Sequence, residues 1–148
     1  MRALLILSLS LCLMACRSES TSIEDFHARD ITLPDGTTVK AEVMMTNIDM
    51  GRGMMFRDSF PEGRAMLFIH STPNKYPYWM YETKVPLDIV WLDKTRRIVE
   101  IVENAPPCKT KSSECALHGG NEIASYVVEF PAGYARKHGV RVGEYLRF

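Results

Sequence analysis

From Arg29 onward the apolar positions fall in short runs cut by turn-forming residues, and no segment keeps the sustained helical period of a bundle. Ile31-Thr32-Leu33 runs into Pro34-Asp35-Gly36, and Thr37 to Met45 then alternates β-branched or apolar residues with polar ones. Proline presets φ for a turn, aspartate bonds the backbone two residues on, and glycine accepts positive φ, so this stretch predicts a hairpin. Asn47 is placed to cap a short helix through Gly51 that Gly53 stops. Residues 65–69 predict a compact strand and residues 78–81 an aromatic one. Residues 87–92, a turn at 93–96 and residues 97–102 predict a second hairpin, apolar enough to be central. Residues 124–130 predict another strand. Pro131, with its fixed φ, opens a short helix over 132–138 that Gly139 ends. A turn at Val142-Gly143 and a last strand close the chain. The expected fold is mainly β, α+β at its margins: a small β-barrel or rolled antiparallel sheet with two short helices.

The N-terminus follows a different pattern. Met1 and Arg2 precede an uncharged stretch from Ala3 to Ala15 that ends at Cys16. A positive start, an apolar run and small residues before a break point predict a secretory signal peptide. The run is shorter than the roughly 20 residues of a spanning helix. Leu13-Met14-Ala15-Cys16 resembles the bacterial lipobox, in which the Cys thiol takes diacylglycerol before cleavage on its N-terminal side. The expected organisation is a signal peptide over residues 1–15, a lipidated tether over 16–28 and a single β-rich domain over 29–148. Plain secretion with Cys16 unmodified is the alternative. Two or three acyl chains (palmitate among them), at about 0.8 kcal/mol per buried methylene, hold a protein to a membrane essentially without release. Arg17, not aspartate, follows the cysteine, and in enteric-type envelopes that favours the outer membrane. The expected address is therefore the bacterial cell envelope, lipid-anchored and facing the periplasm.

Composition narrows the function classes. The 148 residues suffice for one domain of respectable core, with 46% hydrophobic and 24% charged residues. Eighteen Lys and Arg balance 18 Asp and Glu, so no excess of cations exists to displace counterions from nucleic acid. Of the four cysteines, Cys12 leaves with the leader and Cys16 is acylated. Cys108 and Cys115 remain as an even pair in an oxidising compartment, which predicts one disulfide. Closing so short a loop stabilises by roughly 2–3 kcal/mol in the chain-entropy model. A redox-active pair and a zinc site with His118 are the other readings; the spacing is not C-x-x-C, and a four-ligand set is missing.

An ordered set of short motifs carries a resemblance. Gly53-Met54-Met55-Phe56-Arg57, Ala65-Met66-Leu67-Phe68, Tyr78-Trp79-Met80 and Val85-Pro86-Leu87-Asp88-Ile89 come first. Ala105-Pro106-Pro107-Cys108, Cys115, residues 124–133 and residues 139–144 follow in order. From Val39 to the C-terminus the chain resembles the domain of unknown function 192 family. That resemblance implies a compact, mainly β fold, often behind a signal or lipoprotein leader, and no agreed biochemical activity. Ala65 replaces the usual glycine, residues 46–52 replace a charged stretch, and Tyr81-Glu82-Thr83 stands where Lys-Asn-Thr is common.

Candidate chemistry rests on few residues. Arg57, Asp88 and Glu129 each sit among apolar neighbours, where an unpaired charge costs several kcal/mol, so each needs a partner or a solvated cleft. An arginine between two carboxylates either pins loops internally or receives an anionic ligand. Tyr76, Tyr78, Trp79 and Met80 form an aromatic stretch; alternation sends Tyr78 and Met80 to one face and Trp79 to the other, near a cleft. Arg57, Trp79, Thr83, Asp88 and Glu129 are the ligand-binding candidates. Met44, Met45, Met50, Met54 and Met55 lie close together and invite a Cu(I) reading, though methionine also fills irregular cores. No catalytic motif occurs, and His70 beside Ser71 points to the opposite face of a strand. The expectation is a non-catalytic binder of a small ligand or envelope partner, without a cofactor or bound metal. An enzyme using Asp88 and Glu129 as an acid–base pair, and a methionine-based copper protein, are the rivals.

Overall fold

In the computed structural model residues 27–148 are described. The signal peptide, Cys16 and nearly all of the tether lie outside them. Eight strands and two helices follow in the order β1 (Ala28–Thr32), β2 (Thr38–Met44), α1 (Asn47–Arg52), β3 (Arg64–Asn74), β4 (Tyr78–Trp79), β5 (Leu87–Leu92), β6 (Ile98–Ala105), β7 (Leu117–His118), β8 (Ala124–Pro131) and α2 (Tyr134–Lys137). Six strands make one sheet in the order β1-β2-β3-β8-β5-β6; β4 and β7 pair separately.

Turn chemistry builds the first hairpin. The Asp35 carboxylate accepts from the Thr37 N–H at 2.8 Å, and the Gly36 N–H donates to the Leu33 carbonyl at 3.0 Å. Thr32 then faces Thr38 in an antiparallel register. The next connection behaves otherwise. Residues 45–63 cross over and deliver β3 parallel to β2, with Met44 opposite Phe68. The crossover carries α1, whose cap is Thr46, one residue earlier than expected: its Oγ1 accepts from the Asp49 N–H at 3.1 Å and donates to the Asp49 carboxylate at 2.6 Å.

The sheet is buried on both sides because its strands alternate between two cores. Ala65, Leu67, Val90, Leu92, Val128 and Phe130 pack with Tyr134 and Ala135 of α2 and with Leu146. Met66, Phe68, Ile89, Trp91 and Val127 pack on the opposite face with Met54 and Met80. All six residues of β5 are buried, as befits a strand covered on both faces.

Two expectations need correction. The sheet is mixed rather than antiparallel, because the crossover is long enough to return the chain in the same direction. It is also open rather than a closed barrel: β1 and β6 are its edges. The C-terminal residues form isolated bridges to both ends, Arg147 with Thr32 and Tyr145 with Arg97, instead of the expected last strand. Cys108 and Cys115 form a disulfide, their Cα atoms 5.7 Å apart.

Candidate functional site

Glu129 lies in the middle of β8, between Met66 of β3 on one side and Ile89 of β5 on the other. Its side chain is 5% exposed, and its Oε2 is buried without a hydrogen-bond partner among the described residues. Burial among apolar neighbours pushes its carboxyl up to about 8, against the opposing pull of the Arg57 guanidinium. At neutral pH it is therefore mostly the uncharged acid.

This carboxyl lines a narrow neck of about 30 Å³, together with Thr83, Tyr78, Trp79, Met54 and Arg52. The neck adjoins two larger hollows. One, of about 260 Å³, is walled by His70, Tyr76, Pro77, Tyr78 and Trp79 and shares Met50, Gly51, Tyr78 and Trp79 with the neck. The other, of about 580 Å³, is lined by Glu42, Asp49 and Arg57 and shares Arg52 and Gly53 with it. Helix α1 reaches all three spaces but buries none of its own residues. Gly53 ends it with φ +42°, and a Cβ there would stand 3.2 Å from the Phe68 ring, so the chain passes the neck only as glycine.

The polar groups of the neck are held from behind. The Tyr78 hydroxyl shares a 3.2 Å hydrogen bond with Nε2 of His70, whose ring stacks on Tyr76 at 3.5 Å. Burial, then the nearby Glu129 carboxyl, holds the Tyr78 phenol well above its usual range, and burial holds His70 below its own. Both are neutral at pH 7. Thr83 arrives through a bridge between Met55 and Thr83, closed by the Phe56 N–H donating to the Glu82 carbonyl at 2.9 Å. Phe56 and Glu82 both adopt positive φ, +66° and +53°, so this contact is made at the cost of backbone strain.

The DUF192 family model, described as Uncharacterized ACR, matches residues 31–148. The chain belongs to the DUF192 family. A family protein as broadly covered as this one also resembles solved structures. One, a protein of unknown function from Novosphingobium aromaticivorans DSM 12444, is 24% identical, with a TM-score of 0.72 over 82% of this chain and 85% of that one. Another, from Sinorhizobium meliloti 1021 and described as a "putative transcription regulator", is 27% identical, with a TM-score of 0.70 over 80% and 89%. No curated protein matches the sequence.

Within this DUF192 fold the sequence candidates part company. Trp79, Thr83 and Glu129 meet at the neck. Trp79 is 43% exposed while Met80 is buried, the division that alternation predicts. Arg57 lies close enough to act on Glu129, but its guanidinium holds Glu42 by two bonds of 2.7 and 2.8 Å. Asp88 does not join them. It stands opposite Phe130, on the other face of the sheet from Glu129, fully buried. Its two oxygens accept from the Asn104 and Ala135 N–H groups, each at 2.9 Å, which ties the end of β6 and helix α2 to β5. An acid–base pair of Asp88 and Glu129 has the sheet between its members.

Met50, Met54 and Met55 line the neck, Met44 sits in the core beneath, and Met45 is exposed. Among the described residues no group of three or more His, Cys, Asp or Glu is arranged to hold a metal ion. Sequence reasoning missed Glu42 as the partner of Arg57, because the pair lies across the parallel crossover. It also missed Tyr78 with His70. Their phase along β3 and β4 carried no signal that they would meet.

Proposed function

We propose that this chain is a lipid-anchored protein of the bacterial envelope, held through Cys16 after loss of residues 1–15. Its folded part binds a small ligand or envelope partner without catalysis, at the neck formed by Trp79, Thr83 and Glu129. The leader pattern and the family's frequent lipoprotein leaders support the address. One observation carries the binding role: a buried carboxyl oxygen without a partner among the described residues, on a side chain that lines a neck between two hollows. Buried polar atoms are nearly always hydrogen-bonded, and leaving one unmade costs on the order of 1–3 kcal/mol, so a fold that keeps one at a pocket gains most when a ligand completes it. Arg57 contributes its field beside the neck while bound to Glu42. Asp88 acts as an internal tie.

A thermal-shift screen of the purified protein against metabolites and Cu(I) tests this reading. A ligand of the folded state raises the midpoint by mass action, and the rise should vanish in Trp79→Ala and Glu129→Leu. Turnover of the hit would favour an enzyme instead. A shift by Cu(I) alone, lost on replacing Met50 and Met54 by leucine, would favour the thioether reading. A midpoint unmoved by any compound contradicts the binding role. Mass spectrometry of the envelope product should find a mature chain beginning at acylated Cys16.

A further inference from the structure

We infer that the neck beside Glu129 receives the uncharged, hydrogen-bonding end of a ligand, a primary amide or hydroxyl, rather than an ammonium group or metal cation. This inference rests on the binding role proposed above and adds the ligand class.

Size comes first. A space of about 30 Å³ holds only two or three heavy atoms, given that one water needs about 10–15 Å³ of such space. Only the tip of a ligand enters, and its body lies in the aromatic hollow that shares Tyr78 and Trp79 with the neck.

Charge decides the tip. Facing Glu129 are Met66 and Ile89 within the sheet, Tyr78 from β4 with His70 of β3 and Tyr76 behind it, Arg52 of α1, and Arg57, which is paired with Glu42 of β2. Of the groups that carry charge, Arg52 lines the neck and Arg57 stands beside it, its charge met by Glu42. Tyr78 and His70 are neutral, and Glu129, pushed up to about 8 by burial, keeps its proton at pH 7. A cation entering here meets the Arg52 guanidinium and an Arg57 already bonded to Glu42, and among the described residues Glu129 is the acidic group lining the neck. A protonated carboxyl instead offers an O–H donor next to a carbonyl acceptor, the complement of a primary amide and, with one bond fewer, of a hydroxyl. Its burial also favours partners that arrive without charge.

The test uses the ¹⁵N-labelled full-length protein titrated with acetamide, methylammonium and acetate. Acetamide should move the amide resonances of Gly53, Thr83 and Glu129 saturably. Its affinity should fall about tenfold from pH 7 to pH 9, as a carboxyl titrating near 8 loses its proton. Glu129→Gln keeps a donor and an acceptor, so it should bind acetamide within about threefold of wild type and lose the pH dependence; Glu129→Leu should bind more than about tenfold weaker. Should the leucine variant fail to fold, the glutamine variant and the pH profile still decide. Methylammonium preferred, with affinity rising toward pH 9, overturns this inference and leaves the binding neck standing. Acetate preferred does the same. If no probe moves these resonances while the thermal-shift screen finds a ligand that needs Glu129, the inferred tip is wrong and the site is right; if the screen also fails, both readings fall.

Discussion

The six-stranded sheet and the wall of the neck solve the same problem by different means. The sheet is held by long ladders and by side chains buried on both faces, and one of its buried carboxyls, Asp88, is satisfied twice over by backbone N–H groups. The wall has little of this. Strands β4 and β7 are two residues each, α1 buries nothing, and Ile48 on that helix is 82% exposed. What holds the wall is local: the Cys108 N–H donates to the Met80 carbonyl at 3.0 Å, Tyr81 bridges Cys108, and β7 follows Cys115 directly to pair Leu117 with Trp79. Gly120 lets that loop press on Pro77, where a Cβ would come within 2.4 Å of backbone. Two buried carboxyls thus have different fates on opposite faces of one sheet: both Asp88 oxygens accept backbone N–H bonds, whereas Glu129 Oε2 has no partner among the described residues.

The largest effect should come from breaking the tie. Asp88→Ala strands the buried Ala135 N–H, frees the part-buried Asn104 N–H and should cost about 3–5 kcal/mol in urea unfolding. The same substitution at Glu129 removes a carboxyl whose Oε2 has no hydrogen-bond partner among the described residues. A loss there comparable to Asp88→Ala would erase the contrast between the two carboxyls.

Next comes the pH dependence of Glu129. The folded carboxyl keeps its proton to about pH 8, whereas the unfolded one releases it near 4.5. In that window the folded state binds more protons, so stability falls as pH rises from about 4.5 to 8 and is flat beyond. Glu129→Gln lacks this slope. Compared across that window by denaturant titration, wild type should lose on the order of 2–4 kcal/mol relative to the glutamine variant. Parallel curves for the two proteins would place a solvated carboxylate in the neck.

Opening the disulfide should cost roughly 2–3 kcal/mol by the chain-entropy model, and unevenly. In Cys108→Ser/Cys115→Ser, hydrogen exchange at Trp79 and Met80 should quicken while Val90 and Val128 stay protected. Uniform loss of protection would show that wall and sheet are one cooperative unit. The smallest effect lies at Phe56, which is 54% exposed and strained at positive φ. Phe56→Asn, better suited to that conformation, should raise stability by about 0.5–1 kcal/mol in the same titration.

The sheet was far more legible in the sequence than the wall. Pro34-Asp35-Gly36 announces the first hairpin through turn chemistry that works locally, and the second hairpin is as plain, its turn closed by the Asp93 carboxylate on the Thr95 N–H at 2.7 Å. The direction of β3 was not legible, because nothing in residues 45–63 says which way the chain returns. Nor could the faces of Asp88 and Glu129 be told apart. Strand β5 reads Leu-Asp-Ile-Val-Trp-Leu, and a strand buried on both faces has no alternation to read. Of the residues around the neck, Trp79, Thr83 and Glu129 were named from the sequence; Glu42 and the pairing of Tyr78 with His70 depend on tertiary structure. Pro131 shows the same limit: it ends β8, and α2 begins three residues later, at Tyr134, behind Gly133.

The most direct test is a ¹³C titration of the Glu129 side-chain carboxyl by NMR, without ligand and with saturating acetamide. A midpoint near 8 that moves higher with acetamide, because the amide binds the protonated form, is the expected result. A midpoint in the ordinary carboxylate range, unmoved by acetamide, would mean a solvated surface acid and contradict the site.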